Sequence, residues 1–364
     1  MIGWEDVYKV VVAMAPLYFA LALGYGSVRW WKLFTAEQCG AINRLVIYFA
    51  YPFFGFDLAA RSGTFATSYR VLAADVVTKA GIALGLAVWA AARRPSSYSW
   101  CITGFSLVAL NNALLMGVPL LDAMYGGWAH DVAVQMAMMQ IVVWFPLMLV
   151  VFEARQAWLE TMPVSVAPPD DGRASADHEA PVVSDVGEPE DDRKMRTGWS
   201  FWAMLLRTVA HKLACNPNVY SSLLGVAWSS IAHRWHLELP SIVNGSVLIM
   251  SKTGVGLGMF SMGLFIALQD KFIMCGARLT ALSLVLRFVA GPAAATVGAA
   301  VLGLRGDLLR FAIVQAALPQ SVATFNFARE YDLHADILST AIIVGTLASL
   351  PVLITYYTVL GLIR

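Results

Sequence analysis

Leu110-Asn111-Asn112-Ala113 and Leu318-Pro319-Gln320-Ser321 are polar interruptions in the middle of two long apolar runs. Asn112 and Gln320 lie 208 residues apart, and the same offset carries Lys79, inside one apolar run, onto Arg287, inside another. A helix that stops in mid-membrane must satisfy its freed N–H and C=O groups within the protein or at a cavity. Interrupted helices at matching positions of two repeats are the best sequence pointer to a transporter's binding site. These two short stretches read as the centre of a membrane carrier.

Working outward, ten apolar runs are read at 7–28, 38–59, 70–92, 100–122 and 131–153, then 217–235, 241–268, 276–302, 308–328 and 335–362. The full-length runs are long enough to cross roughly 30 Å of hydrocarbon. The chain is 59% hydrophobic and 13% charged, about half the charge of a soluble domain. Five spans per block force the two blocks into opposite orientations. The expected fold is an all-α polytopic membrane protein of ten transmembrane helices, a 5+5 inverted repeat in which broken helices 4 and 9 cross at mid-membrane. The first span is too long for a signal peptide and lacks a cleavage site, so it is expected to be retained. Fifteen lysines and arginines lie on the side of the central loop and seven on the other, which places that loop in the cytosol and both termini outside it.

Residues 1–153 form the first repeat and 217–364 the second. Between them, 154–200 is acidic and proline-rich, with nine carboxylates from Asp170 to Asp192, and is expected to be a disordered cytoplasmic loop. Its Ser165, Ser175 and Ser184 leave open a phosphorylated regulator beside an inert tether. The segment 201–216 carries Trp202, Leu205, Leu206 and Val209 at helical spacing and reads as an interfacial helix.

The candidate substrate site is built on the breaks. Asn112 and Asn111 have amides that donate two hydrogen bonds each, which suits a carboxylate. Half-helix N-termini at the crossing supply free N–H groups and positive dipole ends, an anion site without a fixed cation. The alternative is that these amides only bridge helix to helix. Pro319 disfavours helix at Leu318 and suits the second break, with Gln320 beside it. Asp75 and Lys79, at i and i+4, form an acid–base pair that either braces the break or couples protons. Arg287 is read as orienting a half-helix through its carbonyls. Gln140, Trp144 and Phe145 either line a pocket for a flat aromatic or pack. Asn216-Pro217 reads as a helix start, and Gly254, Gly256 and Gly258 as close helix packing. Cys39, Cys101, Cys215 and Cys275 have no metal or disulfide spacing. No catalytic motif, cofactor site or metal site is read, and a formal net charge of +1 gives nucleic acid no purchase. The expected partners are the lipid bilayer and the transported solute.

At these residues the sequence resembles the PIN family of auxin efflux carriers. The resemblance runs through Tyr25–Trp31, Gln38–Arg44, Met116–Leu121, Asn216–Tyr220, Met259–Phe265, Leu304–Arg310, Val314–Gln320 and Asp336–Ala341. It implies a scaffold domain of helices 1, 2, 6 and 7 that forms a homodimer, and a transport domain of helices 3–5 and 8–10. It implies export of indole-3-acetate and related aromatic carboxylates by an elevator-type alternating-access mechanism, with the carboxylate on Asn112, Gln140 in the pocket, and Asp75 and Lys79 in support. Three positions depart from the family pattern: Asn111 stands for a proline, Gly55 for a serine and Phe145 for a tyrosine. The short insert resembles the short-loop subgroup, which implies the endoplasmic reticulum membrane rather than the plasma membrane. The rival readings are an ion-coupled (sodium or proton) organic-anion carrier of the same fold and a non-transporting membrane receptor.

Overall fold

The computed structural model describes residues 4–62, 65–93, 97–161, 190–269 and 271–362. Its elements are α1 (Trp4–Arg29), α2 (36–61), α3 (Phe65–Ala91), α4 (Ser97–Ala109), α5 (Ala113–Tyr125), α6 (127–161), α7 (Glu190–Ala214), α8 (Pro217–Trp235), α9 (Ser241–Leu268), α10 (Ala277–Val301), α11 (Asp307–Ala316), α12 (Val322–Glu330) and α13 (Ala335–Leu362). The described residues contain no strand, only a single isolated bridge between the two breaks. Six helices are long and apolar enough to cross a membrane by themselves: α1, α3, α6, α9, α10 and α13. Leu84, Val88, Ile249, Val297 and Val301 stand exposed on the outer surface. Apolar side chains in such positions are stable against lipid. The protein is a polytopic helical membrane protein.

Local sequence sets the helix ends. Asn216 accepts from the Asn218 N–H at 3.0 Å and Pro217 takes the first helical position of α8, the start read from the sequence. Thr35 and Gln38 close a reciprocal capping box at the start of α2. Close approach explains two of the three glycines in the 254–258 string. A Cβ at Gly254 would meet Phe54, and one at Gly258 would meet Tyr51, whereas Gly256 faces open space. The packing of α2 on α9 therefore needs small residues at two of these positions.

The expected loop boundary is corrected at both ends. Helix α6 runs on to Thr161, and α7 begins at Glu190. Arg155 holds the extension of α6 by donating to Ser99 Oγ at 3.0 Å and to the Tyr331 carbonyl at 3.3 Å. Residues 162–189, with Ser165, Ser175 and Ser184, lie outside the described residues. On α7, Leu205 and Val209 are buried while Trp202 and Leu206 are exposed, so its apolar residues serve two faces.

Candidate functional site

The two breaks meet. Asn111 and Gln320 form an isolated antiparallel bridge. The Asn112 N–H donates to the Pro319 carbonyl at 2.8 Å, and the Ser321 N–H reaches the Leu110 carbonyl at 3.5 Å. Each extended segment thus answers backbone groups that the other frees, as a buried interruption requires. Pro319 has no N–H to place and contributes its carbonyl. The C-terminal ends of α4 and α11 converge on Arg287, whose guanidinium donates to the carbonyls of Leu107 at 3.1 Å, Leu110 at 3.2 Å and Ala316 at 2.5 Å. Its residue is only 1% exposed. A cation there faces the negative ends of two helix dipoles.

Asn111 is bonded within the protein through its main chain and its side-chain nitrogen, while its Oδ1 has no partner. Its N–H donates to Gln140 Oε1 at 3.3 Å, its carbonyl accepts from Gln140 Nε2 at 2.7 Å, and its own Nδ2 donates to the Gln315 carbonyl at 2.7 Å. The side chain ties α11 to the first break in the way a strut does. Asn112 differs. It is 7% exposed, and its Nδ2 has no hydrogen-bond partner. A buried donor left unpaired is uncommon in folded proteins.

Asn112 lines a cavity of about 660 Å³, the size range of small-molecule sites. Asn111, Gln140 and Phe145 line it too, facing Tyr51, Gly55 and Ser222 of α2 and α8. The first residues of α5 and α12 also reach the wall, through Ala113 and Val322, so two helix N-termini open toward the space. Phe145 packs edge-on to Phe327 with ring centres 6.0 Å apart. Pro319 and Gln320 do not line this cavity; Ser321 does. Gln320 is fully buried behind the wall and donates to the Ser106 carbonyl at 2.9 Å and Thr324 Oγ1 at 2.8 Å. Asp75 and Lys79 are paired at 2.8 Å, away from the main cavity, with Lys79 Nζ 5.1 Å from the centre of the Trp144 ring. They share a second, small space of about 30 Å³ with Asn111, Arg287 and Gln315. Asn111 borders both spaces.

Four wide i→i+5 turns lie in these helices, at Val46–Ala50, Ala113–Gly117, Gln140–Trp144 and Leu286–Ala290. Tyr51 follows the first, Asn112 precedes the second, Gln140 opens the third and Arg287 sits in the fourth. Such turns recur at functional sites because they re-aim side chains that a regular helix would place elsewhere. Nothing in the sequence announces them.

Sequence reasoning also missed the cluster at one end of the cavity. Lys212 Nζ lies 2.8 Å from Glu153 Oε1, 2.7 Å from Glu330 Oε1 and 2.7 Å from Tyr331 Oη. Partial burial pulls the Lys212 pKa down, but hydrogen bonds from its ammonium to Glu153, Glu330 and Tyr331 outweigh this and hold it above the ordinary range. The signal available was its place in the last turn of α7, where a cation is favoured; its partners come from 59 residues before and 118 after.

A polytopic helical protein whose broken helices close on each other beside a largely apolar cavity with a few polar groups is a membrane transport protein, and a family model of that description matches residues 9–357. The chain belongs to that family and, within it, to the auxin efflux carriers. It is 61% identical to the probable auxin efflux carrier component 5b of Oryza sativa subsp. japonica and 51% identical to auxin efflux carrier component 5 of Arabidopsis thaliana, each over 100% of both chains. It is 30% identical to the rice probable auxin efflux carrier component 1b, again over 100% of both, but that alignment stretches to 554 residues against 377 for component 5b. The chain therefore stands with the short-loop carriers of the family. It is a transporter, not an enzyme.

Proposed function

We propose that this chain exports the indole-3-acetate anion, binding its carboxylate at Asn112 where the two breaks meet. The observation that carries the reading is the unpaired Asn112 Nδ2 on the wall of the 660 Å³ cavity, between two helix N-termini. A carboxylate is an acceptor-only group at neutral pH, and unpaired donors with positive dipole ends are its complement. The printed names of the relatives supply the substrate class, auxin. Gln140 and Phe145 border the ring of the substrate. Asn111 borders the site beside Asn112, Pro319 and Gln320 shape it from behind, and Asp75 with Lys79 braces it.

In this reading ten helices form two inverted repeats. Helices α1, α2, α8 and α9 make the scaffold and a homodimer, and α3–α6 with α10–α13 make a transport domain that carries the site across as an elevator. The packing of α1 on α9 and α2 on α8, and of α3 on α10 and α11 against α10, supports this grouping. The cavity lies between the two groups, as an elevator needs. The central loop is cytosolic, both termini are on the other side, and the membrane is that of the endoplasmic reticulum.

Reconstituted vesicles test this directly. Labelled indole-3-acetate should move down a membrane potential with no ion gradient imposed. A strict requirement for sodium or for a proton gradient replaces this reading with the ion-coupled one, and absence of flux by folded protein removes it.

A further inference from the structure

Ser222 lies on the α8 wall of the main cavity, is 1% exposed, and its Oγ has no hydrogen-bond partner. Its neighbour Ser221 takes the ordinary helical course and donates to the Asn218 carbonyl at 3.0 Å. A buried hydroxyl without a partner is as unusual as an unpaired amide. It shares the cavity with Asn112, whose amide nitrogen is unpaired as well.

Gly55 leads to it. A Cβ at position 55 would meet nothing nearer than Ser221 Oγ at 3.7 Å and Ser222 Oγ at 3.8 Å. The α2 wall thus leaves a gap at Gly55, and an atom placed there lies within ordinary contact of the Ser222 hydroxyl. Any side chain at 55 would cover this approach. Gln140, which also lines the cavity, has both amide atoms held by Asn111. Phe145 has no polar atom to offer.

The geometry points to Ser222 as a specificity-determining residue that accepts a hydrogen bond from the ring N–H of an aromatic carboxylate, through the gap left by Gly55. The inference rests on the substrate reading above and adds to it the second polar contact. Asn112 and Ser222 then divide the ligand: the amide donor takes the carboxylate, and the hydroxyl oxygen takes the ring donor. A site built to pair a ligand N–H discriminates against analogues that lack it.

Equilibrium binding to the full chain in lipid nanodiscs tests this with two acids of the same shape. These are indole-3-acetate and 1-benzothiophene-3-acetate, in which sulfur replaces the N–H. The wild type should favour the indole, and Ser222→Ala should weaken indole-3-acetate about two- to tenfold while leaving the benzothiophene acid unchanged. Gly55→Ser, which sets a hydroxyl beside Ser222, should reduce the same preference. Equal affinity of the wild type for both acids, or equal effects of Ser222→Ala on both, overturns the inference and leaves the substrate reading standing. A folded wild type that binds neither acid overturns the substrate reading itself.

Discussion

The backbone N–H of Asn112 donates to the carbonyl of Pro319 across 2.8 Å, so the two helix breaks complete each other. This bond uses the main chain of Asn112 and leaves its side-chain amide free at the cavity wall. In the proposed reading, structure and binding are thereby separated within one residue. Four further side chains around the breaks have assignments as distinct.

Asn112→Ala keeps the main-chain bond and removes only the amide. Loss of a hydrogen bond to a charged group costs roughly 1.5–3 kcal/mol, about ten- to a hundredfold in affinity. The melting temperature should hardly change while indole-3-acetate binding collapses. Binding by a well-folded mutant at wild-type affinity would take Asn112 out of the site.

Asn111→Pro should behave in the opposite way. Proline deletes the N–H that Gln140 accepts and the amide that the Gln315 carbonyl accepts. Each lost bond with a buried partner left behind costs about 1–3 kcal/mol. A lowered melting temperature, with binding by the surviving folded fraction retained, marks Asn111 as a strut. Unaltered stability with lost binding would make it a second substrate amide.

Arg287→Lys keeps the charge and loses the planar fork that reaches three carbonyls on two helices. An ammonium does not reproduce that geometry. Thermal unfolding in detergent should show destabilisation of about 2 kcal/mol or more from carbonyls left unpaired. A lysine variant as stable as the wild type would mean that charge alone holds the half-helices.

Transport should carry negative charge. Lys79 is balanced by Asp75 at 2.8 Å, and among the described residues no group of three or more His, Cys, Asp or Glu is placed to hold a metal ion. Moving one charge through 100 mV is worth about 2.3 kcal/mol. Indole-3-acetate should generate currents on a supported membrane in sodium-free buffer; electrically silent flux would contradict this.

His334 gives the protein a pH dependence. Its Nδ1 is 2.8 Å from Thr103 Oγ1 and its ring lies over Trp100 at 4.3 Å. Burial first, and then the nearby Arg155 charge, lower its pKa from 6.5. The folded protein therefore favours the neutral ring, so its stabilising contribution is present above the unfolded pKa and lost as pH falls through the lowered folded value. Melting curves between pH 7.5 and pH 5, round figures chosen to bracket an ordinary histidine at about 6.5, should show a decline that His334→Gln flattens. An identical decline in the mutant would assign the effect to other groups.

The sequence alone determined the class of the molecule. Apolar runs long enough for a bilayer fix helices there, because no other segment satisfies its own backbone in lipid. Two polar breaks at a common offset fixed where helices had to stop, and Asn216-Pro217 fixed where one had to begin. Asp75 and Lys79, four residues apart on one helix, were legible as a pair because helical spacing alone brings them together. What only the tertiary structure decided is which of the break residues line the cavity and which of those are already bonded within the protein. Asn111 and Asn112 are chemically identical neighbours, yet Gln140 and Gln315, 29 and 204 residues away, engage the first and leave the second free. Pro319 and Gln320 carry the same sequence signal as Asn112 but pack behind the wall. Ser222 gave no local signal, and Lys212 only its place in the last turn of α7. Their surroundings arise from contacts between helices distant in sequence, and the wide turns at Tyr51, Asn112, Gln140 and Arg287 follow from no residue pattern.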